Sequence, residues 1–214
     1  MHHELTRPTA VILAAGKGTR MKSDLPKVVH PVGGRPMICA VVDACRAAGC
    51  GRIIVVVGYM QEKVREALAG FEVEFAVQTE QHGTGHAVMS AAPLLRGCDG
   101  EVIVLAGDGP LIRPKTLRTL LTRHRQSHAA ASLATSVIED PTGYGRIIRD
   151  QEGRFRCIVE HKNATEDQRR IREVNPSYYC FSGTDLFRAL ERVGRNPASG
   201  EYYLTDVPEL LLKD

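Results

Sequence analysis

Ala10-Val-Ile-Leu-Ala-Ala-Gly-Lys-Gly-Thr-Arg-Met-Lys-Ser-Asp-Leu-Pro-Lys27 is the stretch from which the rest of the chain is read. Its apolar start, with Thr9 before it, reads as a buried strand, Thr9–Leu13. The strand then opens into a loop holding Gly16, Gly18 and four cations, Lys17, Arg20, Lys22 and Lys27. Glycines let backbone N–H groups approach phosphate oxygens, and Arg and Lys supply countercharge. Such a loop suits a nucleoside triphosphate. It is not a P-loop, because G-x-x-x-x-G-K-[ST] is absent. Nor is it the dinucleotide turn, because Met21 stands where G-x-G-x-x-G needs its third glycine.

Outward from this loop, the first half alternates strand and helix. Pro36–Ala48 reads as a helix with Pro at its start and Gly49 after its end. Arg52–Val57 is a β-branched strand, Gln61–Ala69 a helix ended by Gly70, and Glu72–Gln78 a strand. Gly85–Leu95 reads as a helix and Val102–Ala106 as another buried strand. Continuous apolar strands between helices predict a parallel sheet covered on both faces. Ligands bind beyond the carboxyl ends of such strands. Three glycine-bearing polar loops fall at those ends: the basic loop, Gln78–Gly85, and Gly107-Asp-Gly-Pro110.

The second half changes character. Ala129–Ile138, Tyr144–Arg149, Arg154–Val159 and Glu173–Ser182 read as strands, with a hairpin turn at Gly153. Leu186–Val193 and Tyr203–Leu212 read as helices. The expected fold is therefore α/β: a Rossmann-like, mostly parallel sheet with helices on both faces plus a small β-rich insertion. The insertion is expected to cover the sheet edge and supply the second substrate pocket. No linker or low-complexity stretch divides the chain, so residues 1–214 read as a single domain. Its nucleotide-binding half is 1–128 and its sugar-binding half 129–214.

Composition sets the function classes. The 214 residues are 43% hydrophobic and 25% charged, ordinary for a soluble globular protein. A net charge of +3 does not argue for nucleic acid. No stretch of eighteen apolar residues and no signal peptide appears, so a cytoplasmic protein without a membrane partner is expected. The six cysteines form no C-x-x-C pair and read as small buried hydrophobes in a reducing compartment. The eight histidines show no metal-ligand spacing, though His82 and His86 could share one helix face.

Two loops carry candidate chemistry. Gln78 and Gln81 offer amide donors and acceptors that can pair with a pyrimidine edge. Gly83 and Thr84 open a helix whose first N–H groups can meet a base carbonyl or phosphate. The same residues also read as a plain helix start with solvated glutamines. Asp108, just past a buried strand, is placed to hold Mg²⁺ through a carboxylate. It also reads as a turn residue before Pro110.

The pattern L-A-A-G-x-G-T-R-M-x(5)-K resembles the signature of nucleotidyltransferases that make nucleotide sugars. The resemblance implies the nucleotide-diphospho-sugar transferase type of fold. It places Leu13, Ala14, Ala15 and Gly16 at the nucleotide, with Ala106 and Gly107 beside them. Gln78-Thr-Glu-Gln-His-Gly-Thr-Gly-His-Ala87 matches that family's uracil-recognition run. Gly107-Asp-Gly-Pro-Leu-Ile112 matches its metal-binding loop. Four later segments are similar to one subfamily, the uridyltransferase domain of bacterial N-acetylglucosamine-1-phosphate uridyltransferases. These are Pro141–Ile147, Ile158–Ala164, Val174-Asn175 and Gly200–Asp206. They imply that Gly145, Glu160, Asn175, Tyr203 and Thr205 line an amino-sugar pocket. From the residues alone, Glu160 also reads as a surface charge and Tyr203 as core.

The implied reaction joins UTP to N-acetylglucosamine 1-phosphate. Arg20 stabilises the triphosphate and the leaving pyrophosphate, Lys27 holds phosphate groups, and Asp108 binds the Mg²⁺ cofactor. Departures are visible too. Asn175-Pro-Ser177 replaces the family's Asn-Thr-Gly, Ala106 replaces a tyrosine, and Gly109 a larger apolar residue. The family's second metal ligand, an asparagine, and its β-helical acetyltransferase domain lie further along than Asp214. Acetyl transfer is therefore not expected of these residues. Transfer to another sugar or from another base, and a catalytically weak UDP-sugar-binding module, stay open at this point. The sequence leaves the oligomeric state undetermined.

Overall fold

The computed structural model describes residues 7–18 and 21–214. Thr9–Ala14 (β1), Arg52–Val57 (β4), Glu74–Val77 (β5) and Glu101–Ala106 (β6) pair in parallel, in the order β5-β4-β1-β6. Between β1 and β4 lie a short hairpin, Pro31–Val32 (β2) and Arg35–Pro36 (β3), and the helix Met37–Ala48 (α1). Gln61–Ala67 (α2) joins β4 to β5, and Thr84–Ala91 (α3) precedes β6. Pro93 then tightens the chain into a 3₁₀ turn, Ala92–Leu95, so the expected Gly85–Leu95 helix is two pieces.

The strands read as continuous apolar runs because both faces are covered. Ala10, Ile12 and Ala14 of β1 join Ile53, Val55 and Val57 of β4 in one core. Val11, Ile54 and Val56 belong to a second core on the opposite face. The strand period of two thus divides one apolar sequence between two hydrophobic layers.

Pro114–Ser127 (α4), for which the sequence reading assigned no element, packs on the first face. Its signal is present: Pro114 at the start, then Leu117, Leu120, Leu121 and His124, all buried, at helical spacing.

The second half departs from the expected insertion. Two stretches read as single strands each break and pass from one sheet to another. Ala129–Ile138 becomes Ala131–Leu133 (β7) and Ser136–Val137 (β8). Glu173–Ser182 becomes Glu173–Asn175 (β11) and Tyr178–Ser182 (β12). The second break falls at Pro176-Ser177, where Pro lacks an N–H and Ser177 sits at φ 63°. β12 pairs antiparallel with β6, and β7 with β12, extending the main sheet to six strands. β8 and β11 instead join Gly145–Arg149 (β9) and Phe155–Val159 (β10) in a four-stranded sheet of order β10-β9-β11-β8. The second half is therefore partly woven into the main sheet rather than laid over its edge.

The capped turn Glu166–Arg169 (α5) lies between β10 and β11. Gly183–Leu190 (α6) follows β12 directly, earlier than the expected Leu186–Val193. A 3₁₀ turn, Leu204–Asp206, leads into Val207–Leu212 (α7) in place of one longer helix. Among the described residues no helix is long and apolar enough to cross a membrane.

Candidate active site

Starting from β1, the chain adds β4 and β5 on one side and then β6 on the other. The strand order reverses between β1 and β6, the position at which open α/β sheets bind ligands. Gly107 N donates to Leu13 O at 2.9 Å, tying the two strand ends together there. Ala14 and Ala15 are buried, Leu13 and Ala106 are half-buried, and Gly16 is exposed with open space where a Cβ would stand. The crevice floor is thus small side chains and backbone, which a polyphosphate can approach.

Lys27 and Asp108 meet across this crevice. Lys27 Nζ lies 2.6 Å from Asp108 Oδ2, and the two side chains are 39% and 32% exposed. Gly18 shapes this end of the loop. It sits at φ 63°, and a Cβ there would stand 2.7 Å from the Lys27 Cβ. The loop therefore folds against Lys27 in a way that only glycine fits. Arg20 lies outside the described residues. Lys17 Nζ stacks 5.3 Å over the Tyr59 ring.

Tyr178, which the sequence reading did not single out, reaches the same loop from β12. Its hydroxyl would stand 2.7 Å from a Cβ on Gly109. Burial, then the charge of Asp108, holds its phenol above the ordinary tyrosine range. The phenol keeps its proton in the field of the Asp108 carboxylate. The space that Gly109 leaves is the space this hydroxyl fills.

The glutamine loop follows β5. Gln78 is only 3% exposed. Its Nε2 donates to Gly83 O at 3.1 Å and lies 3.0 Å from His86 Nδ1. Gln81 Nε2 donates to Gln78 O at 3.3 Å. Gly58, at the end of β4 and also unremarked in the sequence, leaves the room in which Gln81 packs. Gly83 has φ 100°, and a Cβ there would lie 2.5 Å from Tyr202 O. Thr84 Oγ1 accepts from Leu204 N at 3.0 Å, and Gly85 N donates to Tyr202 O at 2.8 Å. The start of α3 is thereby held against the 202–204 segment.

Of the residues expected to line a sugar pocket, Glu160 pairs with Thr205 and Gly145 with Asn175. Thr205, buried, donates through Oγ1 to Glu160 Oε1 at 3.1 Å. Burial raises the Glu160 carboxyl above its usual range, outweighing Thr205 and Lys162, which act the other way. Gly145 and Asn175 are register partners on β9 and β11. Asn175 Nδ2 donates to Tyr179 Oη at 2.6 Å, and its Oδ1 accepts from Ser177 N at 3.0 Å. Asn175 is thus bound up in the turn before β12. Tyr203 is 5% exposed, its hydroxyl 2.6 Å from Ser199 Oγ, and Lys162 Nζ lies 5.1 Å over its ring. Arg146, which follows Gly145 in β9, is a buried cation missed in the sequence. It donates to Tyr144 O, and to His161 Nδ1 at 3.2 Å, next to Glu160.

The chain matches the MobA-like NTP transferase domain over residues 10–201. It is 52% identical over 205 residues to bifunctional protein GlmU of Geobacillus thermodenitrificans, covering 96% of this chain and 44% of that protein. It is 54% identical over 199 residues to bifunctional protein GlmU of Geobacter metallireducens, covering 92% of this chain and 42% of that protein. The chain thus spans less than half the length of these relatives. A solved structure of UDP-glucose pyrophosphorylase complexed with UDP-glucose shares the fold. Its TM-score is 0.77 at 18% identity, over 97% of this chain and 87% of that one. On the match that spans most of its length, the chain belongs to the MobA-like NTP transferase domain family.

Proposed function

We propose that this chain transfers a uridylyl group from UTP to N-acetylglucosamine 1-phosphate, giving UDP-N-acetylglucosamine and pyrophosphate. The observation that carries the reading is the Lys27–Asp108 pair at the switch point between β1 and β6. It puts a cation and a carboxylate where a triphosphate lying on the glycine loop would present its charge. The GlmU relatives support the choice of substrates.

An oxygen of the sugar phosphate forms the new bond to the α-phosphorus of UTP. The bond from that phosphorus to the α–β bridging oxygen breaks, and pyrophosphate leaves with the electron pair. A phosphomonoester loses its second proton at about pH 6, so the attacking oxygen is already anionic and no general base is required. Catalysis then rests on alignment and charge neutralisation. Lys27 holds phosphate oxygens, and Arg20 takes the growing charge on the pyrophosphate. Gln78 and Gln81 read the uracil. Glu160, with Thr205 behind it, accepts from sugar hydroxyls.

The donor set fits Mg²⁺. Asp108 offers a carboxylate beside the phosphate loop, about one-third exposed and 2.6 Å from Lys27 Nζ. Magnesium suits such a place, because it is often held by one or two carboxylates plus substrate oxygens and water. When bound, it supplies further neutralisation of phosphate charge.

The test is pyrophosphate release from UTP with Mg²⁺, with and without N-acetylglucosamine 1-phosphate. Release that requires the sugar phosphate supports transfer. Release without it, or none in either arm, contradicts it.

A further inference from the structure

We propose that His86 is a positioning residue that, with Gly83 O, locks the Gln78 amide with its oxygen toward the base, and so sets selection of uracil over cytosine. The inference rests on the uridylyl reading above and concerns a side chain with no role in it.

The Gln78 amide has two hydrogens to give. Both sit on Nε2, and the protein takes both, one to Gly83 O at 3.1 Å and one toward His86 Nδ1 at 3.0 Å. Gly83 O is an acceptor only, so the atom 3.1 Å from it must be the amide nitrogen. That nitrogen can face His86 Nδ1 only if Nδ1 carries no proton. With Nδ1 accepting, the ring hydrogen lies on Nε2. What Gln78 can offer a ligand is the lone pairs of Oε1.

One bond to Gly83 O would leave the amide plane free to swing about that contact. The second bond fixes the plane. The His86 ring is itself held, with its centroid 6.3 Å from that of Tyr202 at an interplanar angle of 28°, and 5.2 Å from that of His82. An acceptor in this fixed position pairs with the N3–H of uracil and repels the N3 lone pair of cytosine. An amide turned over would do the reverse. The oxygen and nitrogen of Gln78 are nearly equal in size, so discrimination depends on orientation rather than fit.

Two substitutions and one spectrum test this on the whole chain. His86→Phe keeps a ring and removes the acceptor. His86→Asn puts Oδ1 near the place of Nδ1. We expect His86→Phe to lower the UTP-over-CTP ratio of kcat/KM at least tenfold while KM for the sugar phosphate stays within twofold. His86→Asn should restore most of the ratio. Unchanged discrimination in folded His86→Phe overturns the proposal. Should that variant not fold, ¹⁵N imidazole shifts of the wild-type protein decide: an unprotonated Nδ1 supports the proposal and a protonated one overturns it. A wild-type protein without UTP preference contradicts the uridylyl reading itself. The nitrogen shifts then still report whether His86 orients Gln78.

Discussion

Lys27 Nζ stands 2.6 Å from Asp108 Oδ2, joining the loop after β1 to the loop after β6. Each side chain holds its partner, so neither charge is left unpaired in the crevice. A triphosphate would give Lys27 oxygens to hold and leave Asp108 for a divalent ion. The pair is about one-third exposed on each side, and such ion pairs contribute about 0–1 kcal/mol to stability. Lys27→Ala should therefore fold nearly as well as the wild type, with its Tm almost unchanged. Losing one fixed stabiliser of transition-state charge typically costs about 10²–10³ in kcat, and that is the loss expected in steady-state rates. A variant that loses Tm but keeps kcat contradicts this role.

Gly18 is expected to be intolerant for a local reason. Alanine at φ 63° costs roughly 1–2 kcal/mol, and its Cβ would press on the Lys27 Cβ from 2.7 Å. The backbone must shift where Lys27 is set. Gly18→Ala should raise KM for UTP about tenfold while KM for the sugar phosphate changes little. Equal rises in both constants would place Gly18 outside the nucleotide side.

Glu160 gives a pH signature. Burial raises its carboxyl above the ordinary range. A carboxyl raised by folding stabilises the fold while protonated, below its unfolded value. That contribution is lost as pH climbs through the raised folded value. Ionising the buried Glu160 therefore subtracts from stability as pH rises. Glu160→Gln removes the charge and keeps an acceptor for Thr205. Its Tm should exceed that of the wild type at pH 7, with the gain vanishing below about pH 4. Melting curves across that range check the sign. A gain that is the same at every pH contradicts it. The sugar-phosphate KM should rise in the same variant.

Leu117 tests the helix that the sequence reading passed over. It is fully buried in the core shared with β1 and β4. Leu117→Ala should cost about 2–5 kcal/mol of stability and leave KM values near those of the wild type. Denaturant unfolding measures it, and a cost below about 1 kcal/mol would mean that α4 contributes little to the core.

Much of this was legible because β1, β4 and β6 are buried on both faces, which leaves unbroken runs such as Ile53–Val57. Motif loops follow such strands directly, so Asp108 and Gln78 could be placed at one sheet edge from sequence. Other features depend on partners far along the chain. Nothing local in Glu173–Ser182 says that β11 and β12 serve different sheets; only the pairing partners and the Pro176-Ser177 turn decide it. Tyr178 acquires its place from Gly109, and His86 from Gln78. Each reads alone as an ordinary strand tyrosine or helix histidine. Asn175 and Tyr203 carried polar atoms that the sequence assigned to a sugar. In the fold those atoms are engaged with Tyr179, Ser177 and Ser199. Arg20 lies outside the described residues, so its part rests on the motif.

The central claim is that the crevice between β1 and β6 carries transfer between UTP and a sugar phosphate. Pyrophosphate release from UTP, measured with Mg²⁺ and with or without N-acetylglucosamine 1-phosphate, tests it most directly. The account predicts release only when both substrates are present, with UDP-N-acetylglucosamine formed in equal amount. Release from UTP alone, or no release with both substrates bound, would contradict it.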